Sequence, residues 1–166
     1  TTNSAHFYNK SLPSIGLFDV LEHIKEDEQF LMSLKEYLKD DGLIYITVPS
    51  YTMLWSKDDE MAGHYRRYTL KGISTILKST GFDVLYSTYF FSFLPIPIFL
   101  LKTLPSVLGL GRFFRTKQKI KDEHITKSKA VSYVLDFMLN KEVLKIKTNK
   151  TILFGGSCLI VAKKSS

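Results

Sequence analysis

The stretch Ser14-Ile-Gly-Leu-Phe-Asp-Val-Leu-Glu-His-Ile24 passes from apolar to titratable side chains within a few residues. An apolar run over 15–18 is followed at once by Asp19, Glu22 and His23. A short apolar run that ends in titratable groups predicts a buried strand whose carboxyl end opens into a cleft. Ligands bind at that edge of open α/β sheets, so this stretch predicts both a strand and one wall of a site.

The segments that follow predict an α/β domain. The order strand, helix, strand, helix, strand, insertion, strand is typical of a largely parallel sheet with flanking helices, and the last two strands are compatible with an antiparallel closing hairpin. Thr69 is expected to cap the second helix and Gly81 to end it. The elements are expected at 14–18 (strand), 26–39 (helix, stopped by Gly42), 43–48 (strand, closed by Pro49), 69–81 (helix), 83–91 (strand), about 126–145 (helix) and 152–162 (strand).

Residues 92–150 differ in composition from the rest and are expected to form an apolar and basic helical insertion within a single partial domain, 1–166. Its proline-broken apolar part, 93–114, could be a lid over an apolar substrate or a surface that enters a membrane interface, with the basic run at 112–129 on anionic headgroups. The alternative is ordinary helical packing with a solvated basic face. The helix at 126–145 is expected to direct inward Val131, Val134, Leu135, Met138 and Leu139.

Composition and net charge limit the cellular compartment and the classes of binding partner that are compatible with the chain. A chain of 166 residues fits one domain, and its net charge of +7 is compatible with nucleic acid, an anionic membrane surface or an acidic substrate. Nucleic acid is the weakest of these, because no helix-turn-helix, zinc or interleaved aromatic pattern is present. The single Cys158 excludes an internal disulfide and favours a reducing, cytoplasmic compartment, and we expect it to be a buried, inert thiol.

Two motifs together resemble the second half of class I S-adenosylmethionine-dependent methyltransferases. They are the stretch over 15–24 and Leu38-Lys-Asp-Asp-Gly-Leu-Ile-Tyr-Ile-Thr-Val-Pro49. Family members carry an apolar strand, an LEH-like turn, a helix, LKPGG (here Leu-Lys-Asp-Asp-Gly) and a strand ending in VP. The resemblance covers 14–91 well and 152–163 weakly. It is supported by Leu54-Trp55-Ser56, Asp58-Asp59, Gly63-His64, Arg66-Arg67-Tyr68 and Gly81-Phe82.

The resemblance implies a Rossmann-like, mostly parallel sheet with flanking helices and an antiparallel closing strand, and S-adenosylmethionine as cofactor. By this resemblance the chain corresponds to the fourth to seventh strands of the fold. The family's glycine-rich cofactor loop and its ribose-binding acidic residue have no match before Ser14. We therefore expect a longer polypeptide, a complementing N-terminal half or a gene that lost its front. The strand at 14–18 would otherwise be an open edge that favours an oligomer, a swap or low stability.

By the same resemblance, Leu17, Phe18 and Asp19 are expected to line the cofactor pocket, although Leu17 and Phe18 could simply be strand core. His23 is a candidate general base, because an imidazole with a pKa near neutrality suits removal of a proton from a nucleophile. Its alternative role is to order the LEH turn. His64 is the second candidate base.

A metal is a further alternative at this stretch. Asp19, Glu22 and His23 have a carboxylate-carboxylate-histidine spacing similar to that which binds a divalent ion in some quinone-pathway methyltransferases. We nevertheless expect no metal.

The segment from Trp55 to Tyr68 is expected to contact the substrate through Trp55, Asp58, Arg66, Arg67 and Tyr68. Arginine suits bidentate capture of a phosphate or carboxylate, and the aromatic rings suit stacking. The alternative is an internal ion pair of Asp58 or Asp59 with Arg66 or Arg67 that orders the loop.

Two functions follow from these patterns. The first is transfer of a methyl group from S-adenosylmethionine to a small or lipid-like substrate that carries an acidic or phosphorylated group. The second is a non-catalytic α/β binding module that uses its basic insertion on an anionic membrane surface or nucleic acid. A peripheral membrane contact is compatible with either function.

Overall fold

The computed structural model describes residues 10–98 and 129–165. Within those ranges, four strands form one sheet: β1 (Leu12–Phe18), β2 (Leu38–Pro49), β3 (Phe82–Phe90) and β4 (Ser157–Lys164). The helices are α1 (Asp27–Lys35), α2 (Lys57–Ala62), α3 (Leu70–Ser79), α4 (Pro95–Ile98) and α5 (Lys129–Lys147), with 3-10 turns at Leu21–His23 and Thr52–Leu54.

The sheet has the order β1-β2-β4-β3. β1 pairs parallel with β2, and β4 runs antiparallel between β2 and β3. Three strands therefore share one direction and the closing strand is reversed, which confirms the predicted fold class. Phe18 lies opposite Thr47 in the register, so β1 and β2 end at the same edge of the sheet, as the sequence predicted.

The core lies between one face of the sheet and the helices α1 and α3. Alternate residues of the two central strands face this layer and are completely buried, among them Ile46 of β2 and its register partner Ile160 of β4. α3 begins where the Thr69 side chain accepts a hydrogen bond from the Gly72 N–H at 3.1 Å, and the turn after it passes through Gly81 with φ +82°. Both predicted boundaries of α3 are thereby confirmed.

Predicted boundaries of α1, β2 and β4 were wrong. α1 ends at Lys35 rather than at 39, because Leu38 pairs with Leu12 and extends β2 back through the polar Lys39–Gly42 segment. The closing strand begins at Ser157 rather than at 152. The Ile152 N–H donates to the Thr88 hydroxyl at 2.7 Å, which holds that residue in a loop against β3.

The inward face predicted for α5 was also wrong in part. The side chains of Val134 and Leu135 are 54% and 37% exposed, whereas Met138 and Leu139 are half-buried; the side chain of Val131 lies outside the described residues. The helix is anchored instead by the buried Glu142. Its carboxylate accepts hydrogen bonds from the backbone N–H groups at 91 and 92, at 2.7 and 2.8 Å, which ties α5 to the segment that follows β3.

Most of the predicted apolar and basic insertion, 99–128, lies outside the described residues. In the described part of the chain, no helix combines the length and the apolar character that crossing a membrane requires.

Candidate active site

The ends of β1 and β2 are tied together by Asp19. Its N–H donates to the Thr47 carbonyl at 3.0 Å and lies 3.2 Å from the Thr47 hydroxyl, which in turn donates to the Asp19 carboxylate. Asp19 adopts φ +53°, a left-handed conformation that aspartate tolerates better than most residues. The chain therefore turns sharply out of the sheet here and enters the LEH turn at its carboxyl edge.

The LEH turn buries one of its titratable side chains and exposes the other. Glu22 is only 1% exposed, and His23 is exposed. Burial raises the pKa of the Glu22 carboxyl, and the charge of Asp19 acts in the same direction. Among the described side chains, Glu22 Oε2 is buried and has no hydrogen-bond partner.

The loop after β2 is ordered by a short capped helix. Ser56 and Asp59 form a capping box at the start of α2, in which the Ser56 N–H donates to Asp59 Oδ2 at 2.9 Å. α2 ends at Gly63, whose φ of +75° is a left-handed conformation that glycine adopts without a steric penalty. This turn reverses the chain, so that the next residue, His64, lies against the buried carboxylate of Asp59.

Asp59 connects three parts of this loop. Arg67 donates to both of its carboxylate oxygens, through Nε at 2.8 Å and Nη2 at 3.1 Å, and His64 Nδ1 lies 2.9 Å from Oδ1. Burial opposes ionisation of Asp59, but the hydrogen bonds from Arg67, His64 and the Ser56 backbone lower its pKa below the usual value. An ionised Asp59 accepts the Nδ1 proton of His64, which leaves Nε2 of that ring available.

The two polar segments meet at the histidines. The rings of His23 and His64 lie edge to face with their centroids 4.6 Å apart, and the Tyr65 N–H donates to the Glu22 carbonyl at 2.7 Å. The structure thus brings together both candidate bases. Sequence reasoning did not place them in contact. The capping-box spacing of Ser56 and Asp59 was the available signal for the turn that does so.

The residues predicted to contact substrate divide into two groups. The loop-ordering ion pair is confirmed for Asp59 and Arg67, and Tyr68 is buried, with its hydroxyl donating to Asp27 Oδ2 at 2.8 Å. The remaining three side chains are more accessible: Trp55 and Arg66 are half-buried, and Asp58 is exposed.

Arg66 lies at a cleft. One guanidinium nitrogen is 3.0 Å from Asp27 Oδ1, and another donates to the Lys25 carbonyl. The cleft has a volume of about 460 Å³ and is lined by Lys25, Glu26, Asp27, Glu28, Gln29 and Arg66.

The three residues expected near the cofactor lie at the end of β1. Leu17 is 6% exposed and packs in the core, as its structural alternative predicted, whereas Phe18 is 64% exposed and Asp19 is exposed. β1 is an edge of the described sheet, so Phe18 lies on a surface that the described residues leave uncovered.

Comparison with known protein families assigns this chain to a class of protein. The chain matches a methyltransferase-domain family over residues 3–87, just over half of its length, and it belongs to this family. The resemblance to class I S-adenosylmethionine-dependent methyltransferases is confirmed, and S-adenosylmethionine is the cofactor of that class. No curated protein sequence matches the chain significantly.

Two solved structures, from Bacillus halodurans and Archaeoglobus fulgidus, agree on the fold. The chain is 15% identical to a putative methyltransferase from Bacillus halodurans, with a TM-score of 0.52 over 96% of this chain and 73% of that one. It is 19% identical to a SAM-dependent methyltransferase from Archaeoglobus fulgidus, with a TM-score of 0.50 over 99% and 66%. A Haemonchus contortus phosphoethanolamine N-methyltransferase matches at 18% identity and a TM-score of 0.49, and the chain spans only 34% of it while 95% of this chain is covered.

Proposed function

We propose that the chain is the substrate-facing part of an S-adenosylmethionine-dependent methyltransferase that methylates a small or lipid-like molecule. One observation carries this proposal: two histidines from separate segments meet at the carboxyl edge of β1 and β2, and a buried carboxylate orients one of them. Ligands bind at this edge in open α/β sheets. Membership of the methyltransferase-domain family supports the reaction class.

The chemistry requires a proton acceptor when the nucleophile is a hydroxyl. A bond forms between the nucleophile and the methyl carbon as the bond from that carbon to the sulfonium sulfur breaks, and the hydroxyl proton must leave. His64 suits this task, because Asp59 holds Nδ1 and leaves Nε2 to accept the proton. The ionised Asp59 also stabilises the imidazolium that results. His23, 4.6 Å away between ring centroids, is the neighbouring candidate.

The other predicted site residues take distinct roles in this proposal. Phe18 and Asp19 face the cofactor from the end of β1, and Trp55 and Arg66 contact the substrate beside the cleft, with Arg66 facing its acidic or phosphorylated group. Most of the rate enhancement would come from holding sulfonium and nucleophile in line rather than from a strong base.

Arg67, Tyr68 and Asp59 support the loop instead of contacting the substrate. Asp59 and Tyr68 are buried, and Arg67 donates to both carboxylate oxygens of Asp59.

The test is transfer of a radiolabelled methyl group from S-adenosylmethionine into fractionated small molecules and lipids. We expect a labelled product, and we expect His64→Ala to lower the rate by about 100-fold or more, the range of general-base contributions. His124→Ala is the matched control and should retain the wild-type rate. A wild-type rate in His64→Ala would exclude the proposed base, and folded protein that labels no acceptor would contradict methyl transfer by this chain.

A second candidate function is peripheral binding to an anionic membrane. α5 exposes large apolar side chains beside lysines: Tyr133, Phe137 and Leu144 are 75%, 53% and 62% exposed, and Lys141 and Lys145 are exposed as well. Such a helix suits an anionic interface. Sedimentation with phosphatidylserine vesicles should be reversed by salt and weakened by Phe137→Ser. Binding that is unchanged by both would contradict this candidate.

A further inference from the structure

One oxygen of the buried Glu22 carboxylate lacks a partner among the described residues. The residue is 1% exposed and its Oε2 atom accepts no hydrogen bond from any described group. A carboxylate taken out of water is strongly disfavoured unless a cation or hydrogen-bond donors compensate it. Such an atom in a site-forming turn points to a missing cationic partner.

Two imidazoles lie next to this carboxylate. One ligand atom each from Glu22, His23 and His64 lies within 4.8 Å of the others. We propose that these three side chains bind a divalent transition-metal ion of the zinc type. Two histidine nitrogens and one carboxylate oxygen are borderline ligands that suit zinc and its first-row neighbours, and three protein ligands leave a further position open.

One of the proposed metal ligands, His64, already has the carboxylate partner that orients a metal-binding histidine. A metal-binding histidine usually donates its second ring N–H to a carboxylate, which fixes its tautomer and orientation. His64 does so through Nδ1, 2.9 Å from Asp59, and Arg67 holds that carboxylate in turn. Nε2 of His64 is therefore the atom left for a metal.

The geometry requires one adjustment. Zinc with bonds of about 2.0–2.2 Å needs its ligand atoms roughly 3.5 Å apart in a tetrahedral site. The ligand atoms of Glu22, His23 and His64 now lie up to 4.8 Å apart, so they must approach one another by about 1 Å to bind the ion. Glu22 is held by burial and His64 by Asp59, whereas His23 is exposed, so we expect the side chain of His23 to make this adjustment.

This ligand set differs from the alternative that the sequence suggested. Asp19 was part of that set, but its carboxylate accepts a hydrogen bond from Thr47, and His64 takes the third position in the cluster.

Metal binding is a property separate from methyl transfer, and it can be measured without S-adenosylmethionine or a substrate. A histidine whose lone pair binds a metal cannot accept a proton. In the loaded state, the ion would lower the pKa of a bound hydroxyl, and the proton of that hydroxyl would leave to water.

Competition between the metal-free full chain and a chromophoric chelator for Zn²⁺ tests the proposal. We expect one equivalent per chain. His23→Ala and Glu22→Gln should each weaken binding by at least about 10-fold, and Asp59→Asn by about 10- to 100-fold, the range for such supporting residues. The double variant His6→Ala/His124→Ala removes the other two histidines and should bind like the wild type. Circular dichroism verifies folding.

His23→Ala decides the outcome even if Glu22→Gln does not fold, because His23 is exposed. Three results would overturn the proposal: no stoichiometric binding by the wild type, unchanged affinity in His23→Ala, or loss of binding in the double variant. Methyl transfer is not part of the readout, so each of these results would leave the proposed reaction standing.

Discussion

Replacing Asp59 by asparagine tests whether the buried ion pair holds the active-site loop. The Asp59 side chain is 1% exposed and that of Arg67 is 12% exposed, so the substitution leaves a nearly buried guanidinium without its counter-ion. Removing one partner of a buried pair costs about 3–5 kcal/mol, and because Arg67 keeps some exposure we expect a loss of about 3 kcal/mol here. The amide that replaces the carboxylate would also direct N–H groups at neighbouring hydrogen-bond donors.

Urea unfolding followed by the fluorescence of Trp55, the single tryptophan, reports directly on this loop. With a slope of about 2 kcal/mol per molar urea, the midpoint of Asp59→Asn should fall by about 1.5 M. The matched control is Glu60→Gln in the same helix, which is exposed and should change the unfolding free energy by no more than about 0.5 kcal/mol.

A double-mutant cycle sharpens this test. Arg67→Met removes the other partner, so the double variant should lose less stability than the sum of the single variants. Equal midpoints for Asp59→Asn and Glu60→Gln, or additive losses in the cycle, would refute the claim that this pair orders the loop.

Three further predictions concern the scaffold. Ile160→Ala removes a completely buried side chain from the central strand and should lower the unfolding free energy by about 2–5 kcal/mol in guanidinium titration; a change below about 1 kcal/mol would contradict the described core. Gly155→Ala would drive its Cβ into the Phe90 carbonyl and should lower the melting temperature, whereas Gly156→Ala has ordinary contacts and should not; equal effects would contradict this packing. Burial raises the pKa of Cys158 to about 12, above the thiol's ordinary 9.0, so at pH 8 native protein should react with iodoacetamide about 1,000-fold more slowly than urea-unfolded protein. Equal rates would show that the thiol is accessible.

The sequence was sufficient to predict the strands that consist of a nearly continuous apolar run. The runs over 15–18 and 43–48 predicted two parallel neighbours, and Thr69 and Gly81 predicted the limits of α3. It was insufficient where tertiary contacts override local pattern. Polar Lys39–Gly42 belongs to β2 because Leu38 pairs with Leu12, and α5 docks through a buried glutamate rather than through its apolar residues.

In the candidate site, too, some features were predictable from the sequence and others depend on tertiary contacts. The LEH turn and the Trp55–Tyr68 segment were predicted to lie at one edge because parallel strands end together, and they do. The pairing of His64 with Asp59 and the orphan oxygen of Glu22 depend on the left-handed turn at Gly63 and on the depth of burial. Neither can be obtained from residue types alone.

Calorimetric titration of S-adenosylhomocysteine into the folded chain measures binding at the proposed cofactor site. We expect saturable binding that Asp19→Asn weakens, because Asp19 lies at the carboxyl end of β1, where the cofactor is proposed to bind. Asp83→Asn, an exposed carboxylate on the opposite edge strand, should leave the affinity unchanged. Absence of binding by folded protein, or equal affinities for the Asp19 variant and the wild type, would contradict the proposed cofactor site.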